Sequence, residues 1–211
     1  METLTMLSKL DLAKSDKNYY HAKLTPEVRD YDSYYYLSIE GKGSPDGDPF
    51  LQAMEALYGT AYGMKFLCKG EDNDFVVPKM ECYWFIEGGQ EVQHKFAEAA
   101  KSEWCWKIVI RMPDFVESHH FFQAAGQLTS KKPELSLVID QLKFELINEG
   151  KCAQTLHIGS WDREEPSIEK LHGFIRKEGL EIIGYHKEIY ISDPRRVAEE
   201  KKKTILRYQV R

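Results

Sequence analysis

Apolar residues follow two rhythms along this 211-residue chain. Residues 34–39, Tyr-Tyr-Tyr-Leu-Ser-Ile, are dense in β-formers and stop at Gly41-Lys42-Gly43-Ser44-Pro45, where glycine and proline impose a loop, so a strand is predicted. Asp48-Pro49 then reads as an N-cap followed by proline at the first helical position. Phe50, Met54, Leu57 and Tyr58 recur at three and four residues, the spacing of one helical face. A turn at 70–74 leads into two strands, 76–86 and 104–112, joined by a polar segment with room for a short helix. Helical spacing returns over 115–127. It returns again over 132–148, where Leu135, Val138, Leu142 and Ile147 share a face and Gly150 supplies a left-handed stop. The last third predicts a strand at 154–158, then a helix from Pro166 to Gly179 with Ile168, Leu171, Phe174 and Ile175 inward. Strands at 184–191 and 204–210 close the chain.

This order repeats. Leu37-Ser38-Ile39 and Leu156-His157-Ile158 each precede a turn and a proline-led helix; Glu81-Cys82-Tyr83 answers Glu188-Ile189-Tyr190. The closing strands, 107–111 and 203–207, also correspond. The fold predicted is therefore α+β: duplicated βαββ units about a pseudo-twofold axis, antiparallel sheets around a central cleft, and extra helices between the halves. A polar lead-in covers 1–30; the halves run over about 31–115 and 151–211, with connecting helices over about 116–150.

Strand parity then picks out candidate site residues. Alternate side chains face opposite ways. Ile189 and Ile191, being apolar, are assigned to the helix side, which turns Glu188 and Tyr190 toward the cleft. By the same reasoning Glu81, Tyr83 and Phe85 face the cleft from the first half. Leu37, Ile39, Leu156 and Ile158 take the helix side, leaving Tyr36 and His157 opposite.

Composition narrows the class. Hydrophobic residues at 42% and charged residues at 30% fit a globular chain, and a net charge of −5 offers no basic face for nucleic acid. No stretch approaches the ~20 apolar residues of a membrane helix, and the N-terminus lacks the apolar core of a signal peptide. The four cysteines never form a C-x-x-C pair, so a reducing, cytoplasmic setting is expected. His119-His120 diverge as neighbours on a helix, and with His94 and His172 they offer no metal spacing; no metal or cofactor is expected. Aromatics make up 12% of the chain and concentrate on the predicted strands, which suits a flat hydrophobic ligand.

Longer motifs carry a resemblance. Tyr36-Leu37-Ser38-Ile39-Glu40-Gly41-Lys42-Gly43-Ser44-Pro45, the Leu57-Tyr58 and Ala61-Tyr62 pairs, Met64-Lys65 and residues 78–85 are similar to bacterial gyrase-inhibitor-like (GyrI-like) proteins. So are Trp104-x-Trp106 leading into Ile110-Arg111-x-Pro113-Asp114-Phe115, Leu156-His157-Ile158-Gly159 with Glu165-Pro166, and residues 188–196 with 203–207. The resemblance runs from about residue 10 to the end. It departs at Met80-Glu81-Cys82-Tyr83-Trp84-Phe85, where the family usually has Leu-Glu-Gly-Leu-Trp-Trp. It implies two βαββ halves around a ligand cleft, and among stand-alone members hydrolysis of cyclopropane-bearing DNA-alkylating toxins.

On that basis Glu188 is the expected catalytic group that positions or deprotonates water, and Tyr190 the donor to a carbonyl. Tyr36, Glu81, Tyr83, Trp84, Phe85, Trp106 and His157 are the expected substrate-binding set. Trp84 has the opposite parity from Glu81, so its place rests on the resemblance. A non-catalytic module for aromatic or cationic drugs is the alternative, with shielding of gyrase from toxins as a third. Only about thirty residues precede the first predicted strand, which disfavours a DNA-binding domain within this chain.

Overall fold

The computed structural model describes residues 9–211; the opening of the polar lead-in, 1–8, lies outside the described residues. Two one-turn helices come first, α1 (Leu12–Ser15) and α2 (Lys17–Tyr20). The order strand, helix, strand, strand then occurs twice. The first set is β1 (Glu27–Lys42), α3 (Asp48–Gly70), β2 (Met80–Phe85) and β3 (Cys105–Arg111). After α4 (Ser118–Lys131) and α5 (Ser136–Ile139) come β4 (Lys143–Ile158), α6 (Glu165–Lys177), β5 (His186–Tyr190) and β6 (Lys203–Gln209). The class is mixed helix and antiparallel sheet, and the strands close into one barrel in the order β1-β3-β2-β5-β6-β4. Closure depends on length: β1 and β4 each span 16 residues, enough to pair with each other and with a strand of their own half. Among the described residues no helix is long and apolar enough to cross a membrane.

Helix α3 covers the outer face of β1, β3 and β2. Phe50, Ala53, Leu57, Ala61 and Met64 meet Leu37, Ile39, Cys82, Trp84, Ile108 and Ile110 there. Glycine lets α4 approach from behind: a Cβ on Gly59 would lie 2.8 Å from Leu128, and one on Gly63 2.9 Å from Ala124. Helix α6 covers the outer face of the other half, with Leu171 and Ile175 on Ala153, Leu206 and Tyr208.

Three expectations are corrected. The helix predicted over 132–148 is a turn of 3₁₀-helix at Pro133–Leu135 followed by α5, and the connecting helical region ends at Ile139. From Lys143 the chain alternates as a strand, and β-pairing on both sides of β4 outweighs the weaker 3.6-residue spacing. Gly150 does have φ +58, yet it bends a strand rather than ending a helix. The lead-in is not merely polar either: β1 already starts at Glu27, and Tyr19 and Tyr20 are buried.

The third correction concerns faces. Pairing sets Cys82 opposite Glu188, and Glu81 opposite Ile189. Directly opposed residues share a face, so Glu81 and Glu188 lie on opposite sides of the wall. In the first half the parity holds: Leu37 and Ile39 face α3, while Tyr36, Glu81 and Tyr83 face inward. The second half is inverted. Ile189, with Ile205, packs inward against Tyr19 and Tyr31, and Leu156 joins them. His157 turns outward and bonds Ser167 of α6. Both faces of a helix-wrapped barrel are dry, so apolar character alone cannot tell inside from outside.

Candidate functional site

The barrel wall carries a polar cluster on each side. Inside, Tyr19 reaches in from α2, Tyr36 from β1, Glu81 and Tyr83 from β2, Glu149 from β4, Lys187 from β5 and Arg207 from β6. The Lys187 ammonium pairs with Glu81 at 2.8 Å and with Glu149. It lies 4.7–5.5 Å from the ring centroids of Tyr83, Tyr36 and Tyr19. Tyr19 donates to Glu81 Oε2 at 2.6 Å and accepts from Lys187 Nζ at 2.9 Å; Tyr36 and Tyr83 donate to Glu149 Oε1 at 2.9 and 3.0 Å. Arg207 donates to Gln154, to the Tyr19 carbonyl and to the Tyr31 hydroxyl. Burial alone would push the Glu149 carboxyl up, but the Lys187 and Arg207 charges, with its hydrogen bonds, hold it below its usual range. Burial likewise works against the Lys187 charge, and Glu149 with Glu81 raise its pKa well above the ordinary value. This network opens at one end into a cavity of ≈ 350 Å³, where Phe85 stacks on Tyr185 at 4.4 Å.

Outside, the first turn of α3 and the segment entering α6 flank the seam between β2 and β5. Phe50 of α3 stacks on Trp84 at 5.6 Å and meets Trp106 edge-on at 5.1 Å; Trp104 approaches Trp84 at 5.7 Å. Trp84 Nε1 donates to the Tyr190 hydroxyl at 3.2 Å, and Trp161 meets the Tyr190 ring edge-on at 5.5 Å. Glu188 follows on the same face. His186 Nε2 lies 3.3 Å from its Oε1, and His186 Nδ1 lies 2.8 Å from the Tyr208 hydroxyl. Glu164, at the start of α6, is 5% exposed and completes the group. Burial, then the Glu188 charge, then a hydrogen bond with Glu188 raise the Glu164 carboxyl far above its usual range. Burial and the Glu188 charge likewise push the Tyr190 phenol well above its ordinary value.

The residues singled out from sequence thus divide. Tyr36, Glu81 and Tyr83 meet inside, with Phe85 at the mouth; Glu188, Tyr190, Trp84 and Trp106 meet outside. His157 joins neither group: its ring lies 3.0 Å from Ser167 Oγ and 3.1 Å from the Ser160 carbonyl, so it fastens the entry to α6. Sequence reasoning missed Glu164, Trp161 and His186 outside, and Tyr19, Glu149, Lys187 and Arg207 inside. An acidic residue ahead of a helix reads as a complement to its dipole, so Glu164 gave no signal. Lys187 and Arg207, charges in alternating strands, were the available clue to a polar interior. Two groups place possible ligand atoms within 4.8 Å of one another: Glu164 with His186 and Glu188, and Glu71 with His119 and His120.

A cavity at the mouth of the barrel interior and an outer cluster of aromatic rings and carboxylates are features suited to holding a small molecule, and comparison with known proteins points the same way. The model of the GyrI-like small molecule binding domain matches residues 24–211, and the chain belongs to that family. Three solved structures from Listeria innocua are similar over nearly the whole chain. An uncharacterized conserved protein is 33% identical, with TM-score 0.86 and coverage of 96% of this chain and 100% of that one. A hydrolase is 34% identical, with TM-score 0.84 and coverage of 97% and 100%. Another hydrolase is 32% identical, with TM-score 0.82 and coverage of 96% and 100%. No curated protein matches the chain.

Proposed function

We propose that this protein is a hydrolase that opens the strained ring of cyclopropane-bearing, flat, electrophilic toxins and so detoxifies them. The observation that carries the reading is the convergence of Glu188, Tyr190 and Trp84 on one face, with Trp84 bonded to Tyr190 and Trp161 closing on the Tyr190 ring. The hydrolase relatives that match nearly end to end support the general class. Trp161, 40% exposed, offers a face for a planar ring system, while Trp84, buried and stacked on Phe50, holds the Tyr190 hydroxyl. Glu188 orients a water and takes its proton as the water oxygen bonds to the cyclopropane methylene. The methylene–ring bond breaks, its electron pair moves into the conjugated carbonyl, and that oxygen gains a proton from Tyr190 or solvent. Aromatisation drives the step, so the protein needs only position and polarisation, a contribution on the order of 10²–10⁴-fold from the acid–base groups.

A second reading has its own observation. Among the described residues no lysine or arginine pairs with Glu164 or Glu188, so a ligand's positive charge could balance them between the tryptophans. The interior carboxylates do not compete for such a charge, because Lys187 already balances them.

Incubation with a duocarmycin-type cyclopropane compound, followed by mass spectrometry, tests both. Hydrolysis predicts a product heavier by one water, and Glu188→Gln should lower turnover by about 10²–10⁴-fold while keeping binding. Full turnover by that variant would remove Glu188 from the mechanism; tight binding of an aromatic cation with nothing consumed would favour the second reading.

A further inference from the structure

Two carboxylates meet on each side of the barrel wall, all buried except the partly exposed Glu188, and they are neutralised differently. Glu81 and Glu149 share the Lys187 ammonium. Glu164 and Glu188 have only the His186 imidazole beside them; among the described residues no lysine or arginine lies in ion-pairing range of either. Glu164 is 5% exposed, and apart from the neighbouring Glu188 carboxyl its Oε1 has no hydrogen-bond partner. A buried carboxylate oxygen left without a donor is costly.

From this cluster we propose that Glu164, His186 and Glu188 form a binding site for a divalent transition-metal ion of the zinc class. The proposal goes beyond the hydrolytic reading and holds whichever molecule the cleft takes. The donor set is one imidazole nitrogen and two carboxylates, a combination that suits zinc-class ions and leaves a position open for water. Separation fits as well. An ion bound at ~2.1 Å keeps its ligand atoms about 3.0–3.5 Å apart. Nε2 of His186 and Oε1 of Glu188 are already 3.3 Å apart, and all three ligand atoms fall within 4.8 Å. Tyr208 supplies the supporting contact: its hydroxyl oxygen lies 2.8 Å from His186 Nδ1. With an ion bound, Nδ1–H would donate a hydrogen bond to that oxygen and the Nε2 lone pair would face the metal, the usual arrangement around a ligating histidine.

The second grouping fails the same examination. The Glu117 backbone N–H donates to His120 Nδ1 at 3.0 Å, so the ring proton sits on Nε2, which donates to Glu71 Oε2 at 2.9 Å. That histidine is satisfied without an ion, and Glu71 and His119 are exposed.

The experiment is a titration of chelator-treated, full-length protein with Co²⁺, reading visible d–d absorption, and with Zn²⁺ by calorimetry. One equivalent per chain is expected. Glu164→Gln and His186→Gln should each weaken binding tenfold or more, and Tyr208→Phe, which keeps every ligand, by about 10–100-fold. His119→Gln should change nothing. Circular dichroism confirms that each variant is folded, and any one of the three weakening variants suffices for the comparison. Absence of a Co²⁺ band overturns the proposal in favour of a proton shared between the carboxyls. Binding that survives Glu164→Gln and His186→Gln but falls with His119→Gln overturns it in favour of the surface histidines. No substrate enters the readout, so failure of hydrolysis and failure of metal binding are separate results.

Discussion

The interior of the barrel and the cluster on its outer face each hold two carboxylates among aromatic rings, tyrosines inside and tryptophans with Tyr190 outside, and they differ in their cations. Inside, Lys187 sits between Glu81 and Glu149, and three phenols donate to the two carboxylates, although Glu81 Oε1 has no hydrogen-bond partner of its own. Outside, Glu164 and Glu188 face each other with no ammonium or guanidinium between them. The first arrangement is balanced and serves the fold. The second is left short of a cation in a cleft lined by tryptophan, the condition of a group waiting for a proton, an ion or a ligand. Buried acidity alone therefore does not mark a candidate site; the missing counter-charge is what separates the two regions.

Lys187→Met should separate the two regions most sharply. It strands Glu81 and Glu149 without their partner, and loss of one member of a buried ion pair costs ~3–5 kcal/mol, read as a lower urea midpoint. Glu188→Gln should do the reverse: stability little changed, because no lysine or arginine partner is stranded, with turnover down by about 10²–10⁴-fold. Equal loss of stability in both variants would erase the distinction. Tyr19→Phe removes a hydrogen bond to the Glu81 carboxylate and should cost ~1.5–3 kcal/mol without altering ligand binding in the cleft. Gly41→Ala should cost ~1–3 kcal/mol, because its Cβ would lie 2.2 Å from the Trp106 ring and push that ring toward Phe50. The smallest expected effect is on acid stability. The Glu149 carboxyl is held below its ordinary value of 4.5, so its contribution is complete above that value and is lost as pH falls through the lowered folded one. A Glu149→Gln variant, already weakened, should show a flatter decline over that window in thermal melts.

Legibility from sequence followed the strength of local signals. Helix α3 was readable because Pro49 marks its start and Phe50, Leu57 and Met64 recur on one face. Helix α6 was readable for the same reasons, from Pro166 to the positive-φ Gly179. β4 was not, because Leu135, Val138, Leu142 and Ile147 happen to fall at helical spacing across a boundary that only pairing with β1 and β6 reveals. The candidate site was half visible. Glu188, Tyr190 and Trp84 could be named as chemistry-bearing residues on strands, but their grouping depended on a parity that apolar character misassigned in the second half. Glu164 and Trp161 come from a loop and a helix start, where no periodicity points anywhere.

By itself the sequence determined the two strand–helix–strand–strand runs, the buried face of each helix and membership of the family. Tertiary structure alone decided which side of each strand lies within the barrel, and so which carboxylates meet a lysine and which meet each other. The physical reason is closure. Once the sheet joins edge to edge and helices wrap it, both of its faces are dry, and alternation along a strand no longer says which way is in.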